Sequence, residues 1–307
     1  MKFDVVSFGS AVVDVFIHTN VSEKKGFMNY PVGEKILIKN LRFDVGGGGT
    51  NTSVAFSRLG LKAGCICEFG KDENGSRVKS LLKKEKVKFL GKTVEGEVTG
   101  YSAILDSKGG ERTILTYKGA NDEVSLSDIP RFKTKWLYFS SLLGKSFNTQ
   151  KELAIKLKNK KGTKIAFNPS SYQIRNLNLR PLLKITDILI LNKEEAEMLL
   201  KRYSPREKDL LKGLHNLTKG TIVITDKNKL ITCYDGLKKY SLVPHKNIRV
   251  VERTGAGDAF ASGFVAGQIV GKSIEKSLEL GLKESESVIQ HFGAKNNLLK
   301  TNLKTRK

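Results

Sequence analysis

The sequence predicts an α/β fold, a mainly parallel sheet between helices with a small β-sheet lid. From residue 136 onward, short apolar runs of strand length alternate with segments of helical spacing. That is the βαβ rhythm of a parallel sheet covered on both faces. Two extended, hairpin-like patches, 15–44 and 98–118, interrupt the pattern without helices of their own. The 307 residues are 39 % hydrophobic and include 29 glycines, close to the roughly 45–50 % apolar content of globular chains. The expected organisation is a large α/β domain from 1–14, 45–97 and 119–307, with 15–44 and 98–118 as the lid.

The elements follow in order. Asp4-Val5-Val6-Ser7-Phe8-Gly9 reads as a buried strand, and Val12 to His18 continues extended with Asp14 set among apolar residues. Residues 34–39 and 41–45 also look like strand. Four glycines then lead into helical spacing over 50–59, which Gly60 closes as a C-cap. Residues 63–69 form a strand and 75–86 an amphipathic helix. Residues 99–105 and 113–117 bracket the turn Asp106-Ser107-Lys108-Gly109-Gly110, a hairpin signal. Strands at 136–139, 164–167, 187–191 and 221–225 are separated by helices at 150–161, 193–201 and 206–219. A late hairpin (231–234, 239–243) precedes two long helices, 256–270 and 273–292.

Lysine and arginine number 54 against 31 aspartates and glutamates, a formal charge of +23. Only 12 of the basic residues are arginine, the side chain suited to forked phosphate and guanine contacts. The lysines are dispersed, with dense stretches at helix ends and in the tail Lys300–Lys307, and no helix-turn-helix, RNA-recognition or zinc-finger pattern appears. No specific nucleic-acid partner is expected. A positive field would still concentrate a phosphate-rich substrate. No run of about 18 apolar residues predicts a membrane span, and the polar opening Met1–Val6 runs into a strand rather than a signal peptide. Cys65, Cys67 and Cys233 are too few and too badly spaced for a zinc site, and read as free thiols of a cytoplasmic protein.

The segment Arg253-Thr254-Gly255-Ala256-Gly257-Asp258-Ala259-Phe260-Ala261-Ser262-Gly263 carries the chemistry. Glycines at a helix start let backbone pass close to a ligand. The first helix amides have no internal partner, and the dipole adds about half a positive charge there, which makes an anion site. Asp258 in that first turn repels a phosphate, but is well placed to take a proton from a hydroxyl beside it.

Thr254-Gly255-Ala256-Gly257-Asp258 resembles the second signature of the ribokinase/PfkB family of carbohydrate kinases. Gly46-Gly47-Gly48-Gly49-Thr50-Asn51 is similar to its first, Asn192-Lys193-Glu194-Glu195 to its N-x-x-E element, and Asp14 to its substrate-binding aspartate. The resemblance implies a ribokinase-like fold and an ATP-dependent phosphotransferase acting on a hydroxyl of a sugar or sugar-like acceptor. It implies Asp258 as base and the amides of Gly255, Ala256 and Gly257 as an oxyanion-type cradle. It implies Asp14, Gly47, Gly48 and Asn51 around the acceptor, and Asn192 and Glu195 positioning magnesium through water. Thr225 and Lys227 are expected near the nucleotide phosphates.

Departures from the family pattern narrow these expectations. Gly48 stands where ribokinase has lysine, Val12 where it has a sugar-binding asparagine, and Ser141 near a substrate-binding glutamate, so ribose is disfavoured. Glu252-Arg253 replaces a pair that helps hold a monovalent cation in some relatives, which leaves that ion open. One alternative is a nucleoside kinase of the same superfamily, with Phe16, Phe43, Tyr101 and Tyr117 as a stacking wall. A remote one is a non-catalytic nucleic-acid or regulatory binding protein. The exposed edge of a β lid leaves a homodimer through it open. The P-loop look-alike Gly267–Ser273 has one residue too few between its glycines and follows a helix, where a P-loop follows a strand.

Overall fold

The apolar runs assemble into one nine-stranded sheet in a computed structural model that describes residues 1–109 and 112–303. Across the sheet the strands run Lys239–Leu242, Ile231–Tyr234, Thr221–Thr225, Ile188–Asn192, Lys164–Phe167, Lys133–Phe139, Lys2–Phe8, Ala63–Ile66 and Lys88–Phe89. Pairing is parallel throughout except for the late hairpin, whose strands are antiparallel to their neighbours. Because strand side chains alternate, the neighbours Leu137 and Tyr138 enter opposite cores. Leu137 joins Phe8, Phe139, Phe167 and Leu199. Tyr138 joins Phe56, Phe260, Phe264 and Leu278. Mainly parallel sheet between helices, as expected, is what forms.

Strand Lys2–Phe8 pairs with Ala63–Ile66 on one side and Lys133–Phe139 on the other. Strand order therefore reverses at this point, and the crevice beyond the carboxyl ends of such strands is where α/β sheets bind ligands. Here those ends are Phe8-Gly9-Ser10 and Phe139-Ser140-Ser141. They are pinned by Ser140 N–H on the Phe8 carbonyl (3.2 Å) and by the Gln150 amide, which donates to the Phe8 and Ser140 carbonyls at 2.9 and 3.0 Å.

Four strands form a separate small sheet in the order Arg112–Tyr117, Gly100–Asp106, Val12–His18, Asn40–Gly46. Its register sets three rows on one face: Asp44, Asp14, Ser102 and Thr116, then Arg42, Phe16, Ile104 and Ile114, then Asn40, His18, Asp106 and Arg112. The other face carries Phe43, Tyr101, Leu115 and Tyr117. The turn expected at 106–110 joins the hairpin, with Gly110 outside the described residues, as are Lys304–Lys307 of the basic tail.

Some local expectations fail. Residues 34–39 are irregular although Ile36-Leu37-Ile38 is apolar: Leu37 is 87 % exposed, and the place beside Val12–His18 is taken by Asn40–Gly46. Helices start earlier than the apolar spacing indicated, at Gly48, Glu73 and Gly144. The short helices Ser171–Asn176 and Arg180–Leu183 carried too few periodic residues to be seen. Cys65 and Cys67 bring their sulfurs within 3.6 Å of each other, and all three cysteines are free and buried, as expected of free thiols.

Two buried carboxylates give the fold a pH signature. Burial pushes Glu68 and Glu284 up from 4.5 to about 7, and one oxygen of each lacks a partner. The folded state therefore holds protons that the unfolded chain has lost. Stability is greatest below about pH 4.5 for these groups and declines as pH rises to about 7. Glu284→Gln is expected to flatten that decline and raise the denaturant midpoint at pH 8. A urea series from pH 5 to 8 on both proteins checks this.

Candidate active site

Glycines shape the crevice by sterics. A Cβ on Gly47, whose φ is +94°, would meet the Ser10 carbonyl oxygen at 2.4 Å, and one on Gly49 the Gly9 oxygen at 2.5 Å. Helix Gly48–Arg58 can therefore sit flush on the turn leaving the central strand, with Gly49 N–H donating to the Ser10 carbonyl at 2.9 Å. A Cβ on Gly46 would fall 1.9 Å from Asp14 Oδ2. The Asp14 carboxylate thus occupies the space over Gly46. Gly48 faces Ser140: a Cβ on it would stand 2.6 Å from the serine Oγ and 3.7 Å from Asp258 Oδ1.

The second glycine motif opens helix Ala256–Ile269. Gly255 is left-handed (φ +79°), and a Cβ there would strike Ala294. Ala256 N–H turns back to the Arg253 carbonyl (3.3 Å), and Ala259 N–H begins the helical ladder on Gly255 (2.8 Å). The amides of Gly257 and Asp258 precede that ladder. A Cβ on Gly257 would meet nothing within 4 Å. Unpartnered amides beside open space are what an anion needs.

The two helix starts meet at Asp258, whose Oδ2 accepts from Asn51 Nδ2 at 2.8 Å. Asn51 Oδ1 in turn accepts from Lys295 Nζ at 2.6 Å, and that ammonium also donates to the Val45 carbonyl. Lys295 is 3 % exposed. Burial lowers its pKa, against the charges of Asp44, Asp14 and Asp258, which raise it. Burial raises Asp258, opposed by the Asn51 hydrogen bond and by Lys295. Asp14 is likewise raised by burial, opposed by Lys295 and a Ser102 hydrogen bond. Burial thus raises the basicity of the Asp258 carboxylate, the direction a proton-accepting group needs.

Asn192, Glu195, Thr225 and Lys227 form a second group. Asn192 and Thr225 are register partners at the ends of adjacent strands. Asn192 and Glu195 make a capping box: Glu195 N–H donates to Asn192 Oδ1 (2.8 Å), and Asn192 N–H to Glu195 Oε2 (3.0 Å). Both charges, of Asp258 and Glu195, act on the buried Tyr138 hydroxyl and push its pKa up, after burial itself. Lys227 sits with φ +49° and its Nζ 3.5 Å from Glu194 Oε1, an exposed pair. Among the described residues no cluster of three or more His, Cys, Asp or Glu is arranged to hold a metal. One carboxylate, Glu195, beside an amide fits a magnesium ion carried on phosphates and reached through water, and does not fit an all-protein cage.

The small sheet reaches the body through its Asp14 face. Phe16 packs edge-on against Phe292 (centroids 4.4 Å apart), with Arg42 over the same ring. Arg112 donates to Thr254 Oγ1 (2.7 Å) and to Glu252. Glu252 also accepts from Thr254 Oγ1 at 2.6 Å. Period-two alternation corrects the expected stacking wall: Phe16 faces the site, whereas Phe43, Tyr101 and Tyr117 lie on the opposite face. Ser141 bonds Ser170 (2.6 Å), and it is Ser140, buried and with an unpartnered Oγ, that faces the glycines. Ser140, Asp44, Lys295 and Arg112 went unread because nothing local in the sequence distinguishes them.

Comparison with known proteins shows the family and the fold. A model for pfkB family carbohydrate kinases matches residues 2–302. The chain therefore belongs to that family, and it is an ATP-dependent carbohydrate kinase by enzyme class. Ribokinase from Haemophilus influenzae is 29 % identical over 239 residues, 76 % of each chain. Adenosine kinase from Sinorhizobium meliloti shares the fold with a TM-score of 0.80 at 23 % identity, over 96 % of both chains. Ribokinase from Arabidopsis thaliana, complexed with ribose and ATP, superposes with a TM-score of 0.79 at 21 % identity, over 98 % of this chain and 96 % of that one.

Gly46→Ala tests the seat of Asp14. The added methyl must displace that carboxylate. With Asp14 expected to bond the acceptor, losing that charged hydrogen bond costs about 1.5–3 kcal/mol, so the acceptor KM is expected to rise roughly ten- to a hundredfold. The KM for ATP is expected to stay put, which steady-state kinetics with each substrate varied will read.

Proposed function

We propose that the protein moves the γ-phosphoryl group of ATP onto a hydroxyl of a neutral sugar or sugar-like acceptor, with residues 15–44 and 98–118 acting as a lid. The observation that carries this is Asp258, fixed by Asn51 beside open space at the free amides of a helix start. The acceptor lies over Gly47 and Gly48, held by Asp14 and Asn51, with Ser140 as a further partner. Asp258 takes the hydroxyl proton as the oxygen attacks the γ-phosphorus and the bond from that phosphorus to the β,γ-bridging oxygen breaks, with ADP as the leaving group. Within the expected Gly255-Ala256-Gly257 cradle the Ala256 N–H is turned back to Arg253, so the free amides of Gly257 and Asp258, with the helix dipole, stabilise charge gathering on the transferred group. Asn192 and Glu195 hold magnesium through water, and Thr225 and Lys227 lie along the ATP phosphates. Magnesium supplies charge neutralisation on the phosphates. Lid closure excludes water, a competing nucleophile.

Three carboxylates, Asp14, Asp44 and Asp258, surround a single buried ammonium, Lys295. Such a lining favours hydroxyls and repels phosphate, so sugar phosphates are poor acceptors in this reading. A second reading, a nucleoside acceptor, is favoured by a cleft of about 340 Å³ on the same sheet face, lined by Phe16, His18, Asn40, Arg42, Asp106 and Phe292. Its aromatic floor and polar rim suit a base attached to a sugar at Asp14. Thermal shift against sugars and nucleosides separates the two, since ligand at 100 times Kd adds about 2.7 kcal/mol. We further propose a homodimer through the lid, supported by exposed Phe43, Leu115 and Tyr117 on its outer face. Buried free thiols support a cytoplasmic location, and among the described residues no helix is long and apolar enough to cross a membrane.

Asp258→Asn is expected to bind ATP and fold normally but to lose turnover by about 10²–10⁴, the usual worth of a general base. A coupled ATP-consumption assay over sugars and nucleosides measures it, and near-native turnover would refute the assignment of the base.

A further inference from the structure

Lys295 belongs to no motif in the sequence, yet it is the innermost charge of the site. Its ammonium has three donors and no acceptor. Facing Asn51, it can meet only the amide oxygen, and it does so at 2.6 Å. The amide nitrogen is thereby forced toward Asp258, where it donates at 2.8 Å. Were the amide turned over, its oxygen would face Asp258 and favour the protonated acid, which would then donate to it. The Val45 carbonyl, also bonded by the ammonium, anchors this arrangement to the strand that carries Asp44.

We infer that Lys295 is a positioning residue that fixes the orientation of the Asn51 amide and so keeps Asp258 an ionised base with Oδ1 as its proton-accepting atom. The inference rests on the proposed phosphotransfer reading. Oδ2 is committed to Asn51, while Oδ1 lies toward Gly48 and Ser140, 3.7 Å from the point where a Gly48 methyl would stand. The charges facing the ammonium are Asp14 from strand Val12–His18, Asp44 from strand Asn40–Gly46, Asp258 from helix Ala256–Ile269 and Arg58 from helix Gly48–Arg58. The three carboxylates oppose the lowering that burial imposes on Lys295, and Lys295 acts on Asp258 both through the amide and directly by charge.

The test is the pH dependence of kcat/KM for the acceptor in Lys295→Met, Asn51→Leu and the double variant, with Asp258→Asn as reference. A nearby opposite charge typically holds a carboxylate down by about 1–3 units. The acid limb is therefore expected to move up by at least about one unit in Lys295→Met, with kcat/KM down about tenfold on that limb and recovering at higher pH. Asn51→Leu is expected to move the limb in the same direction, and the double variant no further than the larger single shift, because both cut one relay. A limb unchanged in Lys295→Met, a loss equal at every pH, or additive shifts would overturn the inference. If Lys295→Met does not fold, Lys295→Gln keeps a donor for the Val45 carbonyl without the charge, and the same upward shift is required of it. Native turnover in Asp258→Asn would instead defeat the assignment of the base, a separate result.

Discussion

The hydrogen bond between Asn51 and Asp258 joins side chains 207 residues apart in sequence, and the rest of the site depends on it. Each residue sits in the first turns of a helix that begins with glycines. Glycine is required because backbone must approach backbone: Gly47 and Gly49 lie against the turn at Ser10 and Gly9, and Gly255 against Ala294. A methyl at any of these points would push one helix start away from the sheet and pull the Asn51–Asp258 pair apart. Two glycine-rich segments that look like ligand loops are in large part joinery. Only Gly257 faces open space outright.

That joinery explains why charges are gathered where the fold can least easily solvate them. A buried carboxylate without a partner costs several kcal/mol, and here Asp14, Asp44 and Asp258 converge on one ammonium. Asp44 Oδ2 and Ser140 Oγ are left with no partner at all. Folding alone gives no reason to keep such groups, since apolar residues would pack there at lower cost. A ligand rich in hydroxyls offers both donors and acceptors to such atoms.

How much of this was legible in the sequence divides along physical lines. Parallel strands buried on both faces write continuous apolar runs, so 164–167, 188–192 and 221–225 were readable. The N-cap role of Asn192 is local, because a cap is a contact between neighbours in sequence. Residues 34–39 misled because apolar content says nothing about whether a partner strand is available. The face of the small sheet was illegible for Phe43, Tyr101 and Tyr117, since register decides it and register is a long-range fact. Lys295 is one of dozens of lysines, and only the folded chain brings it under Asn51.

The small sheet and the body meet through contacts that are unequal in kind. Phe16 on Phe292 is an apolar contact without strong directional demand, whereas Arg112 must satisfy both Glu252 and Thr254, three residues and one residue before Gly255. The carboxylate of Glu252 also accepts from the Thr254 hydroxyl and from the backbone N–H groups of Arg253 and Thr254. Arg112 is thus attached to the segment that sets the angle at which helix Ala256–Ile269 begins. Breaking this ion pair would leave a half-buried carboxylate next to the free amides of that helix start. The contact therefore ties the position of the small sheet to the start of that helix: the Arg112 guanidinium, carried by the sheet, offsets the negative charge of Glu252 beside it.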